Sequence, residues 1–229
     1  MEEMLKFAKS INKIDENKYF VFLKDNINRN NILENFMMSQ VNFVDAVDEW
    51  SCILGLMVAK VPSVKERIVL IKNLYDEHGN GNIENSHVVT FNKFIKMLLE
   101  ICNNRIELIH DDRINNEIIN KFIHELHNVI GSNNWVYSIA VLAMIEYTYI
   151  TVSKCIHEFV SNYTPSELIH HYSLHEIMDQ THSQELFSIV TDQYETKNNK
   201  KVIEDGILHG YKILYDLYDS LFVFFATTT

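Results

Sequence analysis

Apolar residues recur at three- and four-residue intervals along almost the whole chain, a period that predicts helices rather than strands. Short helical patterns cover about 2–10 and 17–25. A long one follows from about Asn31 to Lys60 and stops before Pro62, because the residue preceding proline avoids the α region. Ser63 with Glu66 three residues on reads as a capping box, opening a helix that ends near His78 at Gly79-Asn80-Gly81. The next helices are expected over about Asn82–Cys102 and 113–130, the second ending at Gly131-Ser132-Asn133. From about Asn134 to Val160 the chain is apolar nearly all round, which marks a helix in the middle of a bundle. Pro165 opens a short helix, and Ser173 with Glu176 forms a second capping box, placing a helix start at Leu174 that runs to about Tyr194. Lys197-Asn198-Asn199-Lys200 turns the chain into a last helix over about 201–225. The expected architecture is all-α, a single domain over 1–229 built as a bundle of seven or eight helices.

Composition supports this and narrows the function. Six glycines and two prolines in 229 residues are too few for the tight turns of a sandwich or barrel. The formal net charge of −11 repels phosphate backbones and anionic lipid, which argues against nucleic-acid and membrane partners. The longest apolar stretches, around 136–153 and 212–226, carry Glu146 in one and Asp216 and Asp219 in the other, so neither reads as a clean membrane span. Three widely spaced cysteines, Cys52, Cys102 and Cys155, exclude a disulfide framework and suit a reducing cytoplasm. The Met-Glu-Glu-Met start does not read as a signal peptide.

Eleven histidines turn attention to metal chemistry. The strongest local signal is His175-x3-Asp179-x2-His182. At about 100° per residue all three side chains leave one helical face, as a metal site inside a bundle requires. With this composition, chance would place such a triplet only about 0.07 times in the chain, so a solvated face that happens to carry these residues is the weaker reading. Glu146 stands alone in the apolar helix, where a carboxylate is costly unless it binds a metal, bonds a tyrosine or pairs with a cation such as Lys154. Ser153 and His157 share its face and are candidate supporting groups, His157 reading more naturally as a core histidine. Glu77, Glu84 and His87 cluster around the glycine break, although a plain helix connection would also explain them. Asp45, Asp48 and Glu49 sit in the long early helix, either as a ligand source or as a charged outer stripe. Summed, these groups suffice for two ions, and imidazole mixed with hard oxygen favours iron or manganese over structural zinc.

The order Glu77-x9-His87, Glu146, His175-x3-Asp179-x2-His182 resembles the haem-oxygenase-like di-iron oxidases and oxygenases. So do Phe43 through Trp50, the Val61-Pro62 break, Asn73-Leu74-Tyr75-Asp76-Glu77-His78-Gly79-Asn80-Gly81, and Tyr172-Ser173-Leu174-His175. The likeness spans roughly residues 16–195. It implies the helical bundle of haem oxygenase, thiaminase II and the pyrroloquinoline-quinone synthesis oxidase. Carried over, Glu49 resembles the first-helix carboxylate and His87 the histidine of the same iron. Glu146 resembles the bridging carboxylate, and His175, Asp179 and His182 the core-helix ligands. Glu77 resembles a carboxylate that some members supply to the second iron; in other members that place corresponds to Glu84. Asp45 and Asp48 compete with Glu49.

Members of that family oxidise small molecules. Some N-oxygenate amino acids or their derivatives, others fragment amino acids or fatty acids, and one sacrifices its own side chains. The resemblance implies two iron ions, O2 as co-substrate, a bridging peroxide between the irons, a small-molecule substrate and an electron donor. It also leaves room for a homodimer. We expect an amino acid or amino-acid derivative to be the substrate, through N-oxygenation, oxidative C–C cleavage or desaturation. Tyr147, Tyr149, Tyr172 and Lys154 are candidates to line its pocket. The alternatives are a metal-binding or interaction bundle without turnover, and a metal-free thiaminase-like member, for which Cys155 would have to be the nucleophile.

Overall fold

A computed structural model of the chain describes residues 1–102, 113–132, 134–195 and 199–226. Among the described residues all regular structure is helical. The helices are α1 (Glu2–Ile11), α2 (Lys18–Asp25), α3 (Ile32–Gln40), α4 (Phe43–Lys60), α5 (Val64–Glu77), α6 (His87–Ile101), α7 (Arg113–Ser132), α8 (Trp135–Val160), α9 (His170–Glu195), α10 (Lys200–Leu221) and α11 (Val223–Ala226). The long ones, α4 to α10, form the bundle that the pattern of apolar positions predicts.

α8 is the axis of that bundle. Asn134 caps it by accepting from Tyr137 N at 2.9 Å, and its apolar surface packs against α9 on one side and α10 on another. By length and composition α8 is apolar enough to cross a membrane, but most of it is buried in protein. Around it, α4 packs on α5, α6 and α7, while α5 and α6 both reach α9. This arrangement turns one face each of α5, α6, α8 and α9 toward the same interior point.

Three element boundaries differ from the sequence pattern. The expected helix from Asn31 to Lys60 is two, broken at Val41-Asn42. Buried polar groups anchor the end of α3 just before the break. Ser39 Oγ lies 2.6 Å from Tyr19 Oη, and Gln40 donates to Tyr19 Oη at 3.0 Å while accepting from Tyr172 Oη at 3.1 Å. The helix expected from Asn82 starts at His87 instead. Asn82 accepts from Glu84 N at 3.1 Å and stabilises a 3-10 turn over Ile83–Asn85. The helix expected from Leu174 starts at His170, and Ser173 is inside it, donating to His170 O at 3.1 Å rather than capping. Ser63 precedes α5 but does not complete the expected capping box: its hydroxyl faces the Glu66 side chain and caps no backbone N–H of the helix. Of the expected turn at Lys197–Lys200, residues 197 and 198 lie outside the described part.

The N-terminal segment is fastened to the far end of the chain by Asn17. It is fully buried, caps α2 by accepting from Tyr19 N at 2.9 Å, and donates to Tyr215 O at 3.1 Å. Alanine here removes both the cap of α2 and the side-chain donor that ties it to α10. We expect Asn17→Ala to destabilise the protein by about 2 kcal/mol, lowering the melting temperature by roughly 4–8 °C. A melting curve within a degree of wild type would contradict this.

Candidate metal centre

The loop after α5 sets the geometry of the site. Gly79 (φ 66°), Asn80 (φ 55°) and Gly81 (φ 83°) are all left-handed, which turns the chain sharply back on itself. A side chain at Gly79 would meet the backbone of Asn85 and Ser86 at 2.6 Å, so glycine is required there. The turn brings Glu77, at the end of α5, against His87, at the start of α6. Glu77 Oε2 contacts His87 Nδ1, and Glu77 Oε1 lies 3.5 Å from His182 Nδ1 on α9.

α9 contributes a row of buried polar groups. His175, Asp179 and His182 share one face, as their spacing requires, and all three are buried. His175 Nδ1 lies 2.9 Å from Asp179 Oδ1. His182 Nε2 lies 3.5 Å from Asp76 Oδ2 of α5. Glu146 enters from α8 and accepts from Trp50 Nε1 of α4 at 3.2 Å. The Asp179 carboxylate lies near enough to act on its charge. Two groups of potential ligand atoms result, each with its members within 4.8 Å of one another: Glu77, Glu146 and His182 in one, His87, His171 and His175 in the other.

The electrostatics of the cluster are those that a cation would offset. Burial and the neighbouring Asp179 and Glu77 carboxylates push the Glu146 carboxyl well above its ordinary range. Burial also pushes Glu77 up, but His87, His175 and His182 outweigh it and hold Glu77 at about 2. Burial lowers His87 and drives His171 well below its usual value, aided in the latter by the adjacent His175 and His87. His175 is raised, since Asp179 overcomes desolvation. His87 Nε2, His171 Nε2 and Asp179 Oδ2 are buried and have no protein hydrogen-bond partner. Bare imidazole nitrogens and carboxylate oxygens converging in a dry interior would be destabilising if nothing bound them. A bound cation would satisfy the orphaned lone pairs and offset the excess negative charge, so the residues present fit the iron that they imply.

Of the seven ligands expected from sequence, the structure brings six together: Glu77, His87, Glu146, His175, Asp179 and His182. It does not bring Glu49. That carboxylate lies on the neighbouring side of α4 and accepts from His127 Nε2 of α7 at 2.8 Å, while Asp45 and Asp48 are exposed. The residue that α4 directs inward is Trp50. Glu84 is also elsewhere, exposed and paired with Lys93 at 3.0 Å, so Glu77 is the carboxylate present at the cluster. Glu84 and His87 do not share a helical face, because Glu84 sits in the 3-10 turn. Ser153 is buried without a partner and His157 lies 3.7 Å from Glu176; neither joins the cluster. Lys154 faces Glu158 on the surface. His171 and Trp50 were not among the expected site residues.

A small cavity opens against the cluster. Apart from the acidic and imidazole groups, its walls are Phe43, Ala46, Val47, Trp50, Phe122, Ile145, Tyr149 and Leu214. The expected pocket tyrosines divide: Tyr149 lines this cavity, Tyr172 is fully buried behind it on Gln40, and Tyr147 packs on Phe187. Cys155 is remote from the cluster, and burial with nearby Glu158 and Asp15 raises its thiol to about 11, which makes it a poor nucleophile.

Carboxylates and histidines from α5, α6, α8 and α9, meeting inside an all-α bundle, define a helical-bundle metalloprotein. The chain belongs to the iron-containing redox enzyme family: that family's profile matches residues 41–218, more than half of the chain. It is an oxidoreductase of that family with the all-α, haem-oxygenase-like fold. The fold is shared with the crystal structure of a CADD-like protein of unknown function from Nostoc punctiforme PCC 73102. That similarity has a TM-score of 0.67 at 15% sequence identity and covers 96% of this chain and 97% of the other. No curated protein matches the chain.

Proposed function

We propose that the chain is a non-haem di-iron oxidase or oxygenase that uses O2 on a small molecule, an amino acid or amino-acid derivative with an apolar body. The observation that carries this reading is the convergence of Glu77, His87, Glu146, His175, Asp179 and His182 in the interior, beside one largely apolar cavity. Two irons held there would supply O2 activation. The absence of cysteine from both groups and the mixture of carboxylate with imidazole favour iron over structural zinc. The residues around the ions do the rest. Trp50 holds one oxygen of Glu146 and so fixes the direction of the other. Asp76 stands beside His182 Nε2 and orients that ring. The apolar wall excludes bulk water and receives the apolar part of the substrate, leaving the reacting group next to the ions.

An external electron donor completes the proposal, as does a cytoplasmic setting, for which the three free cysteines speak. Val64, Ile68, Ile71 and Tyr75 form an exposed apolar stripe on α5 and support a homodimer.

The test is anaerobic loading with Fe(II) followed by mixing with O2, observed by visible absorbance in wild type and His175→Ala. Two irons per wild-type chain and a transient band absent from the variant are the expected result. A panel of amino acids that alters the formation or decay of the band then identifies the substrate class. Iron bound without any response to O2 would instead support a metal-binding bundle without turnover.

A further inference from the structure

His171 precedes His175 by one turn of α9 and is as deeply buried. We propose that His171 is a further ligand of the centre, presenting Nε2 to the metal that His87 and His175 hold, with Thr90 as the residue that fixes its tautomer. The proposal rests on the di-iron reading only in requiring a metal at that place.

Hydrogen-bond direction carries the argument. Thr90 Oγ1 lies 2.9 Å from His87 O and 3.0 Å from His171 Nδ1. A carbonyl oxygen only accepts, so the single hydroxyl proton of Thr90 is directed at His87 O. The hydroxyl therefore offers a lone pair to His171, and Nδ1 must carry the proton and donate. Nε2 is left as the bare nitrogen. It is buried and has no partner in the protein. The position suits a ligand. His171 and His175 are four residues apart on one helical face, the spacing by which paired histidines grip one ion. The His87 ring stacks near both, with centroids 4.0 Å from His175 and 4.9 Å from His171. Thr90 belongs to the same turn of α6 as His87, so one helix supplies a ligand and orients a second.

A packing role is the competing explanation, because His171 also meets Phe91 edge-on, with ring centroids 5.1 Å apart. The two roles separate by experiment. His171→Phe keeps an aromatic ring and loses the lone pair, and His171→Ala serves as the second variant. Both, with wild type and Thr90→Val, would be titrated with Co(II) and followed by absorbance and by proton NMR. Wild type is expected to bind two Co(II) per chain and to show paramagnetically shifted imidazole N–H signals. One of those signals, the proton on His171 Nδ1, should vanish in both His171 variants. Affinity for one of the two ions should fall at least tenfold in them, and about tenfold in Thr90→Val. Melting curves of the metal-free variants establish that they fold. His171 variants with wild-type affinity and an unchanged set of shifted signals would overturn the proposal while leaving the di-iron reading intact. Wild type that binds no Co(II) would overturn both.

Discussion

Glu146→Gln is expected to stabilise the metal-free protein while abolishing turnover, two effects of opposite sign from one substitution. Glu146 is buried beside Glu77 and Asp179, and burial together with those neighbours raises its carboxyl well above the ordinary range. An acid whose folded pKa exceeds its unfolded value contributes stability at low pH that is lost as pH rises through the folded value. Glutamine imitates the protonated acid at every pH. Its oxygen still accepts from Trp50, and it places no negative charge beside Asp179 and Glu77. In chelator-treated protein at alkaline pH the variant should therefore be about 1–2 kcal/mol more stable, a melting temperature roughly 3–6 °C higher. The difference should shrink as pH falls. Glu77 behaves in the opposite sense: held at about 2, it contributes stability above the ordinary carboxylate range that is lost as pH falls toward that value. The metal-free wild type is then weakened from both sides, on the acid side through Glu77 and on the alkaline side through Glu146. For metal binding the same substitution removes an anionic ligand, so iron affinity should fall more than about a hundredfold, beyond the loss expected for a supporting residue. Calorimetry of the chelated proteins and iron titration decide the matter. A variant that is no more stable than wild type without metal, at any pH, would mean that Glu146 is not held against its charge.

The contrast between α8 and α9 shows what the sequence could disclose about this site. Glu146 is conspicuous because no other charged residue occurs between Trp135 and Ser153, so burial follows from the pattern and the carboxylate is visibly out of place. On α9 the period of three and four places His175, Asp179 and His182 on one face without any knowledge of neighbours. His171 continues that face by one more turn, and the signal was present. It is obscured because Ser173 and Glu176 imitate a capping box, which puts the expected helix start three residues past His171 and so separates it from that face. Whether such a pair caps or lies inside a helix depends on the chain before it, and Ile169 packs that chain into the core. Glu49 fails for a different reason. Adjacent residues on a helix diverge by about 100°, and only the position of α7 decides whether Glu49 or Trp50 turns inward. The choice between Glu77 and Glu84 likewise needed the left-handed loop and its 3-10 turn, whose path local propensity does not specify.

Gly210→Ala should be among the most damaging small substitutions in the chain, although alanine normally strengthens a helix. Gly206 and Gly210 stand one turn apart on α10 and face α8. A Cβ at Gly210 would lie 2.4 Å from Val141 O and 3.1 Å from Met144 Cβ; one at Gly206 would lie 2.8 Å from Tyr137 O and 2.9 Å from Ala140 Cβ. These are contacts with helix backbone, which cannot rotate away as a side chain would, so α10 must move off α8. Alanine gains about 1 kcal/mol in helix propensity, and overpacking of this kind costs up to about 3 kcal/mol or more. The net loss of about 2 kcal/mol corresponds to a melting temperature roughly 4–8 °C lower. Gly55→Ala on α4 is the control, because nothing lies within 4 Å of its Cβ position; it should raise stability by about 0.5–1 kcal/mol. The damage should also reach the metal centre. Glu146 lies on α8 just past Val141 and Met144, and a helix pushed at those residues carries its carboxylate away from Glu77 and Asp179. Gly210→Ala is therefore expected to weaken iron binding even after refolding at a temperature where the protein is folded, whereas Gly55→Ala leaves it unchanged. Equal melting temperatures for the two variants would show that α8 and α10 do not meet backbone to backbone.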